Sequence, residues 1–242
     1  MKHTEREMQS LKEEVRQMWK LVISQLEKAK QSFMAGNAEL ALEIASREKR
    51  VDAFELKIDS DCENYIALYS PVAVDLRLAL SLIKISSTLE RIGDFAAGIA
   101  RHVIDGDCHK VDEKLMEDLQ IEKMFDTLIG MLSDGFVALE SENTKISGKI
   151  LAKDEEVDAI YHSAIDVLTN YIVENGKLKV ENDNNNFQLS TFNFQLEERV
   201  RCGLKLLLVI RKLERIGDHC SNIVEEIVFY VDAKVLKHRK DE

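Results

Sequence analysis

Apolar residues recur three and four positions apart along most of the chain, a pattern that predicts six helices. The first, over about 7–34, carries Leu11, Val15, Met18, Val22, Leu26, Ala29 and Phe33 on one face. Ala35-Gly36-Asn37 ends it, and Asn37 stands where it can cap a second helix over 38–69. Ser70-Pro71 stops that helix, because the residue before a proline is pushed out of helical geometry and proline suits a helix start. The third runs to about residue 104 with Leu78, Leu82, Ile85, Leu89, Ile92, Ala96, Ile99 and Val103 in an unbroken stripe. That spacing belongs to a helix packed in a bundle.

A loop at Asp105-Gly106-Asp107 precedes a fourth helix over about 112–140, with Ile121, Phe125, Leu128, Leu132, Phe136 and Leu139 inward. Glu142-Asn143-Thr144 turns the chain into a fifth helix over 147–174. A polar stretch over about 176–195, holding the run Asn182-Asp183-Asn184-Asn185-Asn186, predicts a surface loop. The sixth helix then extends from about 194 to 237.

The second half repeats the first. Leu89-Glu90-Arg91-Ile92-Gly93-Asp94 is identical to Leu213-Glu214-Arg215-Ile216-Gly217-Asp218, 124 residues later. The apolar stripe maps at the same offset, Leu82 to Leu206, Ile85 to Val209, Ile99 to Ile223 and Val103 to Ile227. Six identities in helical register predict a duplicated unit. The expected architecture is all-α, six long helices in two tandem, pseudo-symmetric three-helix bundles, residues 1–106 and 107–242.

The repeat also points to a site. The second helix holds Glu48 and Asp52, and the fifth holds Asp154 and Asp158, acidic pairs four apart on one helix face. A short turn makes the second and third helices antiparallel neighbours, so residues equidistant from Pro71 share a level. Asp52 and Glu90 each lie 19 positions from Pro71, and Glu48 and Asp94 each lie 23. In the second unit Asp158 and Glu214 lie 28 positions from residue 186, and Asp154 and Asp218 lie 32. Each unit thus predicts a four-carboxylate cluster.

Two like charges about 6 Å apart repel by roughly 3 kcal/mol at an effective dielectric near 20, so such a cluster favours a bound cation or shared protons. All-oxygen donors suit magnesium, manganese, calcium or iron. The competing reading is that Arg91, Arg215, Lys49 and Arg50 neutralise the acids as salt bridges. His162 and His219 are expected to be ordinary helix histidines beside the clusters. Gly93 and Gly217 are expected to allow close helix approach.

Composition narrows the function. A net charge of −11 in 242 residues argues against nucleic acid as the main partner. The charged first 20 residues lack the apolar core of a signal peptide, and the longest aliphatic run, Leu206 to Ile210, is far too short to span a membrane. Four cysteines without CxxC spacing read as free thiols in a reducing cytoplasm.

The doubled Leu-Glu-Arg-Ile-Gly-Asp resembles the PhoU family of phosphate-uptake regulators. So do Ser70-Pro71-Val72-Ala73-Val74-Asp75-Leu76-Arg77 and Asp218-His219-Cys220-Ser221-Asn222-Ile223-Val224-Glu225. The resemblance covers nearly the whole chain. It implies tandem three-helix bundles, often dimeric, whose repeated acidic motifs bind metal clusters. That role carries onto Glu48, Asp52, Glu90 and Asp94, and onto Asp154, Asp158, Glu214 and Asp218. Iron, zinc, manganese and magnesium are the metals the comparison leaves open.

The resemblance further implies a cytoplasmic negative regulator of phosphate uptake and of the phosphate-starvation response. Its partners would be the ATPase component of a phosphate ABC transporter and a sensor histidine kinase. Gly98 departs from the family pattern, standing where Asn is common, and the 176–195 stretch is longer than usual. Asp75 and Arg77 lie too far along their helix from Glu90 to join the cluster.

Three functions compete: a non-enzymatic adaptor with metal sites, a di-metal carboxylate enzyme, and a metal-free helical scaffold. The enzyme reading needs Glu-x-x-His motifs in the bundle core. No histidine in the chain follows a glutamate at that spacing.

Overall fold

The computed structural model describes residues 3–105, 113–174 and 186–236. It contains helices α1 (His3–Ala35), α2 (Ala38–Tyr69), α3 (Ala73–Ile104), α4 (Glu113–Asp118), α5 (Ile121–Ser141), α6 (Ser147–Glu174) and α7 (Asn186–Asp232). A 3-10 turn, Thr144–Ile146, leads into α6. No strand occurs among the described residues, and no helix among them is long and apolar enough to cross a membrane.

The local signals act as expected in the first half. Asn37 caps α2, its side chain accepting from the Leu40 amide at 3.1 Å. Ser70 ends α2 in the left-handed region with φ 46°. The eight stripe positions of α3 are all buried, each large one contributing about 1.5–3 kcal/mol over exposure.

Three expectations need correction. The fourth predicted helix is broken into α4 and α5 at Gln120, whose φ is 52°. Leu119 and Ile121 are both buried, yet two positions along a straight helix point about 200° apart. The break turns both side chains into one core.

The sixth predicted helix starts at Asn186 and ends at Asp232, not at 194 and 237. Polarity alone does not stop a helix, and 186–195 contains neither Gly nor Pro. The predicted loop therefore does not reach 195; residues 175–185, and the 106/107 boundary between the units, lie outside the described residues. The early end comes from Ala233, which adopts φ 55°.

Helices α1, α2 and α3 pack on one another, and α5, α6 and α7 do the same. The two sets are joined by α3 on α7 and α1 on α5, so the buried side chains form one continuous core. Trp19 of α1 is fully buried, and its Nε1 donates to the Leu132 carbonyl of α5 at 3.0 Å. Lys12 and Tyr230 both converge on Glu142, Nζ at 3.0 Å and the phenol hydroxyl at 2.6 Å, tying α1 and α7 to the turn before α6.

The α3–α7 contact runs antiparallel. Arg77 Nε donates to the Tyr230 carbonyl, and Ser81 Oγ donates to that of Glu226, both at 3.2 Å. Phe95 stacks on His219 with centroids 5.7 Å apart. These two residues are 124 positions apart, the repeat offset, so equivalent positions of the two copies meet face to face. Arg77 thus has a packing role.

Candidate metal centre

The level predicted from Pro71 holds. Gly93 faces Val51, and Ser86 Oγ donates to Asp59 Oδ1 at 3.2 Å; both pairs are centred within two residues of Pro71. Asp52 of α2 and Glu90 and Asp94 of α3 bring one carboxylate oxygen each within 4.8 Å of the others. Asp52 Oδ1 is buried with no hydrogen-bond partner among the described residues. Glu48, one turn before Asp52, pairs with Arg101 of α3 at 3.1 Å and still acts on Asp94.

The electrostatics are those of crowded acids. Burial, then the charges of Asp94, Glu55 and Asp52, push the Glu90 carboxyl up to about 7. Burial and the charge of Glu48 also raise Asp94. Glu55 was absent from the sequence-derived set, although it lies three positions after Asp52 and so shares its helix face. Because crowded carboxylates, two of them half-buried, resist ionising together, this group prefers either a held proton or a cation.

The second set has the expected register but a different arrangement. Asp154 touches Ser221 and lies against Gly217, and Gly203 faces Ile172; these pairs are centred within two residues of position 186. Asp154 is buried at 3% exposure, and its Oδ2 accepts from Ser221 Oγ at 2.7 Å. Asp218 accepts from Arg215 at 3.1 Å. Asp158 and Glu214 are half-buried.

These four carboxylates do not gather as closely as Asp52, Glu90 and Asp94. Two sequence differences accompany it. Asp154 is one methylene shorter than Glu48, its repeat equivalent by position in the cluster. Ser221 offers a hydroxyl where the first copy has Ala97. His162 Nδ1 lies 2.7 Å from the Asp158 carbonyl oxygen, turned to its own helix. His219 is occupied with Phe95.

The two repeat glycines differ in consequence. A Cβ on Gly217 would stand 2.5 Å from Asp154 Oδ1, whereas one on Gly93 would stand 3.1 Å from Gln25 Oε1. Gly217→Ala is expected to destabilise by about 1–2 kcal/mol, overpacking outweighing the better helix propensity of Ala. Gly93→Ala is expected to stay within about 1 kcal/mol of wild type. Urea midpoints measure both; equal losses would show that displacement of Asp154 is not the cause.

Fold and site together define a class: a duplicated all-α bundle with an acidic cluster across the α2–α3 hairpin. The PhoU domain model matches residues 15–103 and 121–227, and the chain belongs to the PhoU family.

An Aquifex aeolicus protein called "Phosphate-specific transport system accessory protein PhoU homolog" is 29% identical over 234 residues, covering 97% of this chain and 95% of its own. The Escherichia coli K12 "Phosphate-specific transport system accessory protein PhoU" is 28% identical, with 96% and 86% covered. Among solved structures, the PhoU phosphate transport regulatory protein of Streptococcus pneumoniae superposes with a TM-score of 0.77 at 25% identity, covering 97% of this chain and 100% of its own. PhoU from Pseudomonas aeruginosa gives a TM-score of 0.79, with 95% and 99% covered, and at 23% identity supports the fold alone.

Proposed function

We propose that this chain is a cytoplasmic, non-enzymatic accessory protein of phosphate-specific transport. In this reading it restrains phosphate uptake and the phosphate-starvation response, as an adaptor between the transporter's ATPase component and a sensor histidine kinase, and works as a homodimer. Relatives named for the phosphate-specific transport system, matched over nearly the full chain, support the transport role. Deleting the gene is expected to raise transporter expression in phosphate-replete cells; unchanged expression would remove the regulatory part.

The single observation that carries the metal-binding part is the Asp52–Glu90–Asp94 cluster with its buried, unpartnered Asp52 oxygen. Three hard carboxylate donors fit magnesium, manganese, iron or zinc, and a cation there would relieve the repulsion that raises Glu90. Asp52, Glu90 and Asp94 would hold it, with Glu48 available once it leaves Arg101. In the second set the Arg215–Asp218 pair and the Ser221–Asp154 bond already engage one oxygen of each aspartate, which makes that set the weaker candidate.

Elemental analysis of the purified chain separates these. Asp94→Asn is expected to remove most bound metal and Asp218→Asn to remove less. Protein that stays metal-free after incubation with manganese, zinc or iron would defeat the metal-binding proposal.

A further inference from the structure

The α3–α7 seam carries a second charged feature, opposite in sign to the acidic cluster. Lys212 of α7 lies across Gly98 of α3, where an added Cβ would come within 2.8 Å of its Cε. Gly98 therefore makes the slot in which the lysine lies. The Lys212 ammonium donates to His102 Nε2 at 3.4 Å. Both side chains are half-buried. Lys212 forms no ion pair with a carboxylate among the described residues.

Burial, and then the charge of Arg101, lowers the Lys212 pKa. His102 is lowered by burial, Lys212 and Lys205, against a raising effect of Asp105. Arg101 has a carboxylate partner, Glu48, but 53% of its side chain remains exposed and free to reorient. In a chain of net charge −11, Lys212 and His102 thus meet beside Gly98, with Arg101 the neighbouring charge and no carboxylate paired with Lys212 among the described residues. A partly desolvated cation without a counter-charge is costly, and the cost is recovered when an anion enters.

We propose that this slot is an oxyanion site in which Arg101, His102 and Lys212 bind a tetrahedral anion of the phosphate class. The chemistry matches: Arg101 can present a planar fork to two oxygens, Lys212 a point charge, and His102 a ring N–H once protonated. Gly98 matters because any side chain there would push Lys212 out of the slot. The site meets the carboxylate cluster only at the Arg101–Glu48 pair, and its test needs no metal in that cluster.

The test is calorimetric titration of the full chain, passed over chelating resin, with inorganic phosphate, sulfate or chloride at constant ionic strength. The His102 ring signals are followed by NMR in parallel. Saturable binding of phosphate is expected, with an upward shift of the His102 titration. Lys212→Gln should weaken binding at least tenfold, and Lys149→Gln on α6 should leave it unchanged. His102→Gln serves as a second variant if Lys212→Gln folds poorly.

Glycerol phosphate distinguishes the source: tighter binding of free phosphate marks a free-ion site, and tighter binding of the monoester marks a phosphoryl group on a larger molecule. Phosphate acting no differently from chloride, or both slot variants binding like wild type, would overturn the proposal.

Discussion

Without added cation, the chain is expected to lose stability through Glu90 as pH rises from about 5 to 8, and Glu90→Gln is expected to remove that loss. The Glu90 carboxyl stands at about 7 in the folded protein, above its ordinary 4.5. A raised carboxyl means the folded state holds its proton more tightly than the unfolded chain. The associated stability is complete below about 4.5 and disappears as pH rises through 7.

The full shift corresponds to about 3 kcal/mol, and solvent screening at this half-open site reduces it to about 1–2 kcal/mol. For a chain of this size that is a melting difference of about 2–8 °C. Burial lowers His102 and His219, which stabilises the fold as pH rises toward 6.5 and opposes the Glu90 effect. The measured quantity is therefore the difference between wild type and Glu90→Gln at each pH. Glu90→Gln should melt higher than wild type at pH 8 and equally at pH 5. Manganese or magnesium should raise the wild type at pH 8 and leave the variant where it is. Parallel curves for the two proteins would mean that Glu90 is not under strain.

The largest loss of stability is expected from Trp19→Ala. Trp19 is fully buried, packs edge-on against Phe136 with centroids 5.9 Å apart, and fills the space beside Gly135, where an added Cβ would be 3.2 Å from its ring. Removing it costs about 3–5 kcal/mol for the cavity and lost burial, and strands the Leu132 carbonyl that its indole N–H satisfied. The melting temperature should fall by about 10–20 °C.

Trp19→Phe keeps most of the packing and loses the hydrogen bond, for about 1–3 kcal/mol. Because Trp19 links α1 to α5, both halves should unfold in a single transition in wild type and in two steps in Trp19→Ala. A loss under about 1 kcal/mol for Trp19→Ala would show that this contact does not hold the two sets together.

Much of this was legible in the linear chain. The α3 stripe, the Asn37 cap and the stop at Ser70-Pro71 are local, and local rules placed them to within a residue or two. Asp52, Glu90 and Asp94 were found by level alone, because a fixed rise per residue on both sides of a tight hairpin sets which residues face each other. The repeat extended that register to the second unit even though its connection is long.

What the spacing could not decide was how each carboxylate, once at its level, would choose a partner. Glu48 turned to Arg101, a residue 53 positions away, and Asp154 turned inward to Ser221. Rotation of one helix about its axis, and the length of one side chain, decide such contacts, and both depend on packing from every neighbour. The break at Gln120 has the same origin, since only a formed core demands that Leu119 and Ile121 point the same way.

The sequence by itself determined the helices, the duplication and the level at which the acids meet, because these follow from helical rise and from a period printed twice in the chain. The tertiary structure alone decided that the two copies share one core, that Phe95 and His219 meet across it, and that the acidic sets differ. Those outcomes rest on contacts between helices far apart in sequence, where burial and neighbouring charge select one arrangement from many that the same spacing permits.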